Sequence, residues 1–131
     1  MRMKKTLLLM ALICCMSAGL RAESGTCGAN LNWSFEGNTL TITGSGAMTN
    51  YESYDSAPWY SNRESIVQVF LPEELTTIGK NAFNSCTKLR GVTIPAKVTT
   101  IANNAFDYCQ VMSRVTFAQG STLQTIGECA F

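Results

Sequence analysis

The chain has 131 residues, of which 46% are hydrophobic and only 15% charged, so it is at most one ordinary domain and has enough apolar material to argue against wholesale disorder. It contains no histidine, which excludes Ser-His-Asp and Cys-His catalysis and any zinc site that uses imidazole. The formal net charge of +1 is unevenly distributed, because four of the ten basic residues lie within the first 21 positions.

Residues 1–22 have the layout of a secretory signal peptide. A basic segment comes first, an unbroken apolar run extends from Leu7 to Met16, small residues follow, and Ala22 offers a cleavage site. The run has ten residues, whereas a bilayer span needs about 20, so a membrane anchor is the weaker alternative. We predict an exported mature chain, residues 23–131, without a membrane span. Its six basic and nine acidic residues give a net charge of −3, which offers no electrostatic footprint for nucleic acid.

Residues 31–43 have the alternating pattern of a β-hairpin. Leu31, Trp33 and Phe35 alternate with polar residues, a turn signal follows at 36–38, and the second strand alternates in the same way. A lone hairpin is marginal in water. We therefore expect its apolar face to cover the open end of the core built by the residues that follow.

Four aromatic residues follow the hairpin, and they admit two interpretations. They either fill the interior of an N-terminal cap, or they form a platform on which sugar rings stack. The sequence favours the first and leaves the second open. We assign residues 23–64 to this cap of hairpin and aromatics, and the aromatic positions in question are Tyr51, Tyr54, Trp59 and Tyr60.

An internal repeat occupies the second half of the chain. Residues 75–97 and 98–120 align at an offset of 23, with nine identical positions that include an Asn-Ala-Phe triplet and a cysteine. A third unit begins at Leu123, and a degenerate unit with Ile66 and Val69 precedes the aligned pair. Each unit has the form I-[GA]-x-N-A-F-x-x-C-x-x-[LM]-x-x-V-x-[IF].

This repeat predicts a β-rich solenoid. Val92 and Ile94 alternate at period 2, which is typical of a short strand, and the spacing from Ile78 to Cys86 suits a short helical or 3₁₀ segment. One coil cannot bury both of its faces, but stacked coils can. Residues 65–131 thus form the repeats. Because the last unit stops without its strand, either the chain is a fragment of a longer protein or another chain covers this end, and we favour the fragment.

The pattern N-A-F-x-x-C-x-x-L-x-x-V-x-I-P at a period of 23 resembles the BspA-like leucine-rich repeats of bacterial surface proteins. The segment from Trp33 to Met48 also resembles the stretch that often precedes such repeats. The resemblance implies a leucine-rich-repeat fold, export and many repeats. It further implies adhesion, since some members contact host matrix proteins or other bacteria.

Four cysteines follow the predicted cleavage site. Cys86 and Cys109 occupy one position in adjacent coils, so they form either a stack of buried thiols or a disulfide, and we favour the thiols. Cys129 aligns with asparagines of the other units, and we expect it to be exposed. The spacings, including that of Cys27, do not resemble Cys-x-x-Cys, which leaves zinc and thioredoxin chemistry unsupported.

The outward face of the predicted strands is the candidate site for a partner. With Val92 and Ile94 directed inward, Thr93 and Pro95 face out, and the same holds for equivalent positions of the neighbouring coils. Aromatic residues and arginine are enriched at binding hot spots, which draws attention to an exposed phenylalanine and an arginine on this face. The candidate binding residues are Gln68, Phe70, Thr93, Arg114 and Thr116.

The sequence predicts neither catalysis nor a bound metal or cofactor. The nine carboxylates are scattered, and no nucleophile elbow or phosphate-binding loop is present. We predict an exported protein that mediates protein–protein binding or adhesion at the cell surface, with a host matrix or bacterial surface protein as partner. The alternatives are a structural spacer, an accessory module of a larger secreted protein, or carbohydrate binding through the aromatic cap.

Overall fold

The computed structural model describes residues 22–131, so the predicted signal peptide lies outside the described residues except for Ala22. The described part of the chain contains nine strands and one 3₁₀ helix, η1. In chain order the elements are β1 (Glu23–Gly28), β2 (Leu31–Glu36), β3 (Thr39–Ala47), η1 (Tyr60–Ser65), β4 (Gln68–Phe70), β5 (Glu74–Ile78), β6 (Gly91–Ile94), β7 (Thr100–Ile101), β8 (Arg114–Phe117) and β9 (Thr125–Ile126).

The predicted hairpin is confirmed by strands β2 and β3. They pair antiparallel with Trp33 opposite Ile42 and Phe35 opposite Leu40, and these four side chains are buried together with Leu31. Strand β1, which the sequence did not indicate, pairs antiparallel with the outer edge of β2. It lacks an alternating apolar pattern, and Cys27 is its one buried residue.

Strand β3 joins the hairpin to the repeats. Its first part pairs parallel with β4, where Leu40 lies opposite Val69, and its second part pairs parallel with β5, where Ser45 lies opposite Glu74. Gly44, with φ of +107°, lies between the two parts, and a Cβ there would overlap the carbonyl oxygen of Asn30. The hairpin therefore extends the row of strands that begins with β5, and it covers the N-terminal end of the solenoid, as predicted.

The coils stack in register. Strands β5, β7 and β9 form one parallel row, with Ile78 opposite Ile101 and Ile101 opposite Ile126. Strands β6 and β8 form a second parallel pair, with Val92 opposite Val115. Residues that occupy the same position in the sequence repeat thus lie side by side, which confirms the β-rich solenoid.

The segment between the two strands of a coil consists of turns rather than a regular helix. The amide of Cys86 donates to the carbonyl oxygen of Phe83 at 3.3 Å, a bond of the 3₁₀ type. However, Asn81 and Ser85 have φ angles of 57° and 63°, and left-handed residues interrupt a right-handed helix. Ile78, which we grouped with the helical segment, instead ends strand β5.

A stack of aromatic rings runs along the solenoid core. Trp59 of the cap stacks on Phe83, Phe83 on Phe106, and Phe106 on Phe131, with ring centroids separated by 5.6, 5.1 and 5.3 Å. Backbone bonds between the same turns hold the rings in place, as in the 2.7 Å bond from the Phe83 amide to the carbonyl oxygen of Ala105. The stack connects the cap and the coils through one continuous core.

Candidate functional site: the strand-face groove

The five residues predicted to bind a partner lie along a single groove of about 680 Å³. We call it the strand-face groove, because it runs over the outer faces of three strands. Strand β4 contributes Gln68 and Phe70, β6 contributes Thr93, and β8 contributes Arg114 and Thr116. The structure therefore brings all five side chains to one surface.

The register of β6 and β8 explains this arrangement. Thr93 lies opposite Thr116, and Gly91 lies opposite Arg114. Since successive side chains of a strand point to opposite faces, burial of Val92 in the core places its neighbours on the outside. The 23-residue repeat thereby sets equivalent outward positions side by side.

The groove spans a break between two sheets. Strand β4 is hydrogen-bonded to β3, whereas β6 is hydrogen-bonded to β8, and β4 and β6 form no ladder within residues 22–131. The side chain of Phe70 stands at this break with 52% of its surface exposed. The exposed ring of Phe70 is thus an apolar part of a groove whose other lining residues are both polar and apolar.

Charged groups surround the groove unevenly. Lys97 forms an ion pair with Glu74, with 2.6 Å between Nζ and Oε1. Arg114 is exposed and forms no ion pair with any residue that the structure describes. The guanidinium therefore offers an unpaired cation in the same groove as the exposed ring of Phe70.

Pro95 corrects one detail of the predicted face. It is buried, although strand alternation would have directed it outward. Strand β6 ends at Ile94, and a turn starts at Pro95. A 3.2 Å hydrogen bond from the Val98 amide to the carbonyl oxygen of Pro95 closes this turn. Pro95 therefore lies beyond the strand and is largely covered, although it still contributes to the lining of the groove.

The sequence analysis missed the Glu74–Lys97 pair at the groove. A signal for it was available, because the two residues are 23 positions apart and carry opposite charges. In a solenoid of this period such residues are neighbours in adjacent coils.

The repeat region matches a known family. The family model described as "BspA type Leucine rich repeat region (6 copies)" matches residues 52–131. The chain belongs to the BspA-type leucine-rich repeat family. The resemblance drawn from the Asn-Ala-Phe and cysteine pattern is confirmed, and membership supports a protein-binding repeat module of a kind that is typically non-catalytic.

A solved structure supports the same fold. The BspA-type chain is similar to a leucine-rich repeat protein from Eubacterium ventriosum ATCC 27560, with a TM-score of 0.72 and 27% sequence identity. The match covers 80% of this chain and 28% of that protein, so the chain spans under a third of its relative. No protein in the search of curated proteins matches this chain.

The aromatic platform considered for this BspA-type cap is wrong for two of its four members. Trp59 is only 1% exposed and Tyr51 is buried, since both rings pack edge-to-face inside the core. Burial also raises the pKa of the Tyr51 hydroxyl. Tyr54 is exposed and Tyr60 is half-buried, so only these two rings reach the surface.

The four described cysteines are free thiols. Cys86 is buried, and a hydrogen bond with Cys109 together with burial raises the pKa of its thiol. The Cys109 sulfur lies 3.2 Å from the carbonyl oxygen of Phe83 and donates to it. The two thiols are unpaired, as we favoured, although Cys109 is half-buried rather than buried, and Cys129 is exposed as predicted.

Two kinds of feature are absent from residues 22–131. No group of three or more His, Cys, Asp or Glu side chains in this range could hold a metal ion. Within the same range, no helix is both long enough and apolar enough to cross a bilayer.

Proposed function

We propose that this BspA-type chain is an exported surface protein that binds a protein partner through the strand-face groove, without catalysis. The observation that carries the proposal is the convergence of Phe70 and Arg114 on one groove. The partner class is a host matrix protein or a bacterial surface protein, as the family resemblance implies.

The chemistry of the groove supports a protein ligand. Protein interfaces combine an apolar centre with a polar rim, and aromatic residues and arginine dominate their energetics. Here the partly exposed Leu71, Ala96 and Ala118 contribute apolar lining in addition to Phe70, while threonines and charged side chains border it. The unpaired guanidinium of Arg114 favours a carboxylate on the partner.

Binding measurements with matched variants test the proposal. The protein, purified after expression of the full 131-residue chain, is titrated against a panel of matrix and bacterial surface proteins. An unrelated repeat protein serves as the negative control. We expect saturable binding to at least one panel member and an affinity loss of about tenfold or more in the double variant Phe70→Ala, Arg114→Ala.

The double variant Lys88→Ala, Arg90→Ala is the matched control, because it removes two exposed cationic side chains outside the groove. It should bind like the unmodified protein, and both double variants should retain the melting temperature. Equal binding by the groove variant would contradict the proposed site. Absence of binding by a folded sample would contradict the binding role and favour a structural spacer.

The proposal includes export, with cleavage after Ala22. Strand β1 begins at Glu23, so cleavage there would leave every described strand intact. Mass spectrometry of the protein recovered from the medium or the cell surface should find Glu23 at the N-terminus. Recovery of the uncleaved chain from the cytoplasm alone would overturn this part of the proposal.

A further inference from the structure

A second cavity, of about 530 Å³, opens on the turn side of the solenoid. We call it the turn-face pocket; two exposed tyrosines, Tyr54 and Tyr108, contribute to its walls, and asparagine, serine and aspartate side chains form the rest of its lining. We propose that the turn-face pocket binds a neutral saccharide. The site shares only Tyr54 with the aromatic platform considered from the sequence, and it does not depend on the strand-face groove.

The polar lining contributed by the first coil is held by hydrogen bonds. The Asn81 side chain donates to the Tyr51 carbonyl oxygen at 2.7 Å, and the Asn84 side chain donates to Asn81 Oδ1 at 3.2 Å. The Ser85 hydroxyl donates to Asn84 Oδ1 at 2.8 Å. These bonds fix the orientation of each amide, so its donors and acceptors are already ordered before a ligand arrives.

The next coil continues this lining with residues at the equivalent positions. Asn104 donates from Nδ2 to Asp107 Oδ2 at 2.9 Å, and the amide of Tyr108 donates to Asp107 Oδ1 at 3.0 Å. A carboxylate accepts about four hydrogen bonds, so Asp107 keeps acceptor capacity for a ligand. A row of fixed amide and carboxylate groups thus crosses the pocket from one coil to the next.

The Tyr54 ring is supported by contact with Tyr60. Tyr54 is 59% exposed, and its ring packs edge-to-face against Tyr60, with centroids 5.9 Å apart. The guanidinium carbon of Arg63 lies 4.1 Å from the centre of the Tyr60 ring. These contacts restrict the Tyr54 ring while leaving most of its surface accessible.

Tyr108 is 65% exposed and has a φ angle of 56°. Bulky residues rarely adopt this left-handed conformation. Ser85, at the equivalent position of the preceding coil, has a φ angle of 63°. The turn therefore requires the conformation but not the ring, and an exposed aromatic at a strained position is a signal of function.

The lining matches the chemistry of a sugar. A pyranose ring presents C–H groups that pack on an aromatic face, and hydroxyls that pair with amides and carboxylates. The turn-face pocket has no aliphatic lining, in contrast to the strand-face groove, and the centre of a protein interface is apolar. Its one charged lining residue is Asp107, and a carboxylate disfavours anionic sugars.

Calorimetric titration tests the inference on protein expressed from the full 131-residue chain. The probes are the neutral trisaccharides triacetylchitotriose, maltotriose and cellotriose, with 3′-sialyllactose as the anionic comparison, each up to about 10 mM to reach weak affinities. We expect saturable binding of at least one neutral probe and weaker or no binding of the anionic one.

The decisive variant is Tyr108→Asn. Asparagine tolerates the left-handed conformation, so the variant should keep or raise the melting temperature while its affinity for the neutral probe falls by about tenfold. Tyr54→Ala should weaken binding in the same way, and Phe70→Ala in the strand-face groove should not. Absence of binding by all neutral probes, equal binding by Tyr108→Asn, or preference for the sialylated probe would each overturn the inference.

Discussion

The indole ring of Trp59 stacks on the phenyl ring of Phe83, with centroids 5.6 Å apart and an interplanar angle of 19°. Its Nε1 also donates a buried hydrogen bond of 2.8 Å to the carbonyl oxygen of Ala82. In the cap, Trp59 thus occupies the position in the aromatic stack that a phenylalanine occupies in each coil. Because the two parts share one aromatic stack, we expect the cap and the coils to unfold together.

Substitution of Trp59 tests this coupling. Trp59→Phe keeps an aromatic ring in the stack but leaves a buried carbonyl without its donor, at a cost of about 1–3 kcal/mol. Trp59→Ala also removes the ring and should cost about 3–5 kcal/mol. Denaturant titration followed by circular dichroism should show one transition in each protein, and separate transitions for cap and coils would contradict the coupling.

Regular parts of the fold could be predicted because period and burial act together there. Val92 and Ile94 are separated by one residue in the sequence, and both side chains are buried in the core. Thr93 between them therefore lies on the outer face of the strand, opposite Thr116 of the next coil. The same logic predicts from the sequence that Gln68, Phe70, Arg114 and Thr116 share one surface. A one-residue slip would move the whole apolar set to the solvent side.

The irregular unit that precedes the first coil and contains Trp59 and Tyr60 could not be predicted in this way. The 23-residue offset aligns Phe83 with Tyr60, yet the ring in the stack belongs to Trp59, which is 24 residues away. The register here is decided by the packing of the Trp59 indole and by its hydrogen bond to Ala82. Neither can be inferred from the spacing of residues in the sequence. The left-handed turns at Asn81 and Ser85 were missed for a related reason, since local spacing alone is compatible with a helix.

Gly79→Ala should destabilise the junction between the cap and the first coil. A Cβ at residue 79 would overlap the backbone carbonyl oxygen of Thr49, which cannot move aside as a flexible side chain would. We expect a loss of about 1–3 kcal/mol, measured from the denaturant midpoint. Ala102 occupies the equivalent position of the next coil, and Ala102→Gly should cost less than about 1 kcal/mol. Equal losses would show that Thr49 does not set the constraint.

Cys129→Asn should raise stability. Cys129 has a φ angle of 52°, as Asn81 and Asn104 do at the equivalent positions with 57° and 59°. Asparagine adopts this conformation at lower cost, so we expect a gain of about 0.5–1 kcal/mol in thermal unfolding. The 2.8 Å bond from the Phe106 amide to the carbonyl oxygen of Ala130 ties the last turn to its neighbour, so the strain is not released by fraying.

The reciprocal variant Asn104→Cys provides the control. It introduces the unfavourable residue into the left-handed position and also removes the 2.9 Å hydrogen bond to Asp107. Its melting temperature should therefore fall. A melting temperature that also fell in Cys129→Asn would show that the left-handed conformation is not the source of strain at residue 129.

The thiol of Cys27 should make stability depend on alkaline pH. Burial raises its pKa from the ordinary value of 9.0 to about 11. Below pH 9.0 both the folded and the unfolded protein hold the Cys27 proton, so the free energy of unfolding does not yet vary with pH through this thiol and its stabilising contribution is fully present. Between the two values the unfolded chain releases the proton more readily, so the free energy of unfolding falls as pH rises. In Cys27→Ala the loss of stability from about pH 8 to about pH 10 should be smaller, and an equal loss would contradict this assignment.

The cysteines should also differ in their rates of alkylation, because the thiolate is the reactive form and must be accessible. Cys129 is exposed and should react first with iodoacetamide, followed by the half-buried Cys109, whose pKa is lowered by its hydrogen bond with Cys86. Cys86 and Cys27 should react slowest, since both are buried and both have raised pKa values. Peptide mass spectrometry over time measures this order. Early modification of Cys86 in the folded protein would contradict the stacked, buried thiols, whereas denaturant should make all four rates similar.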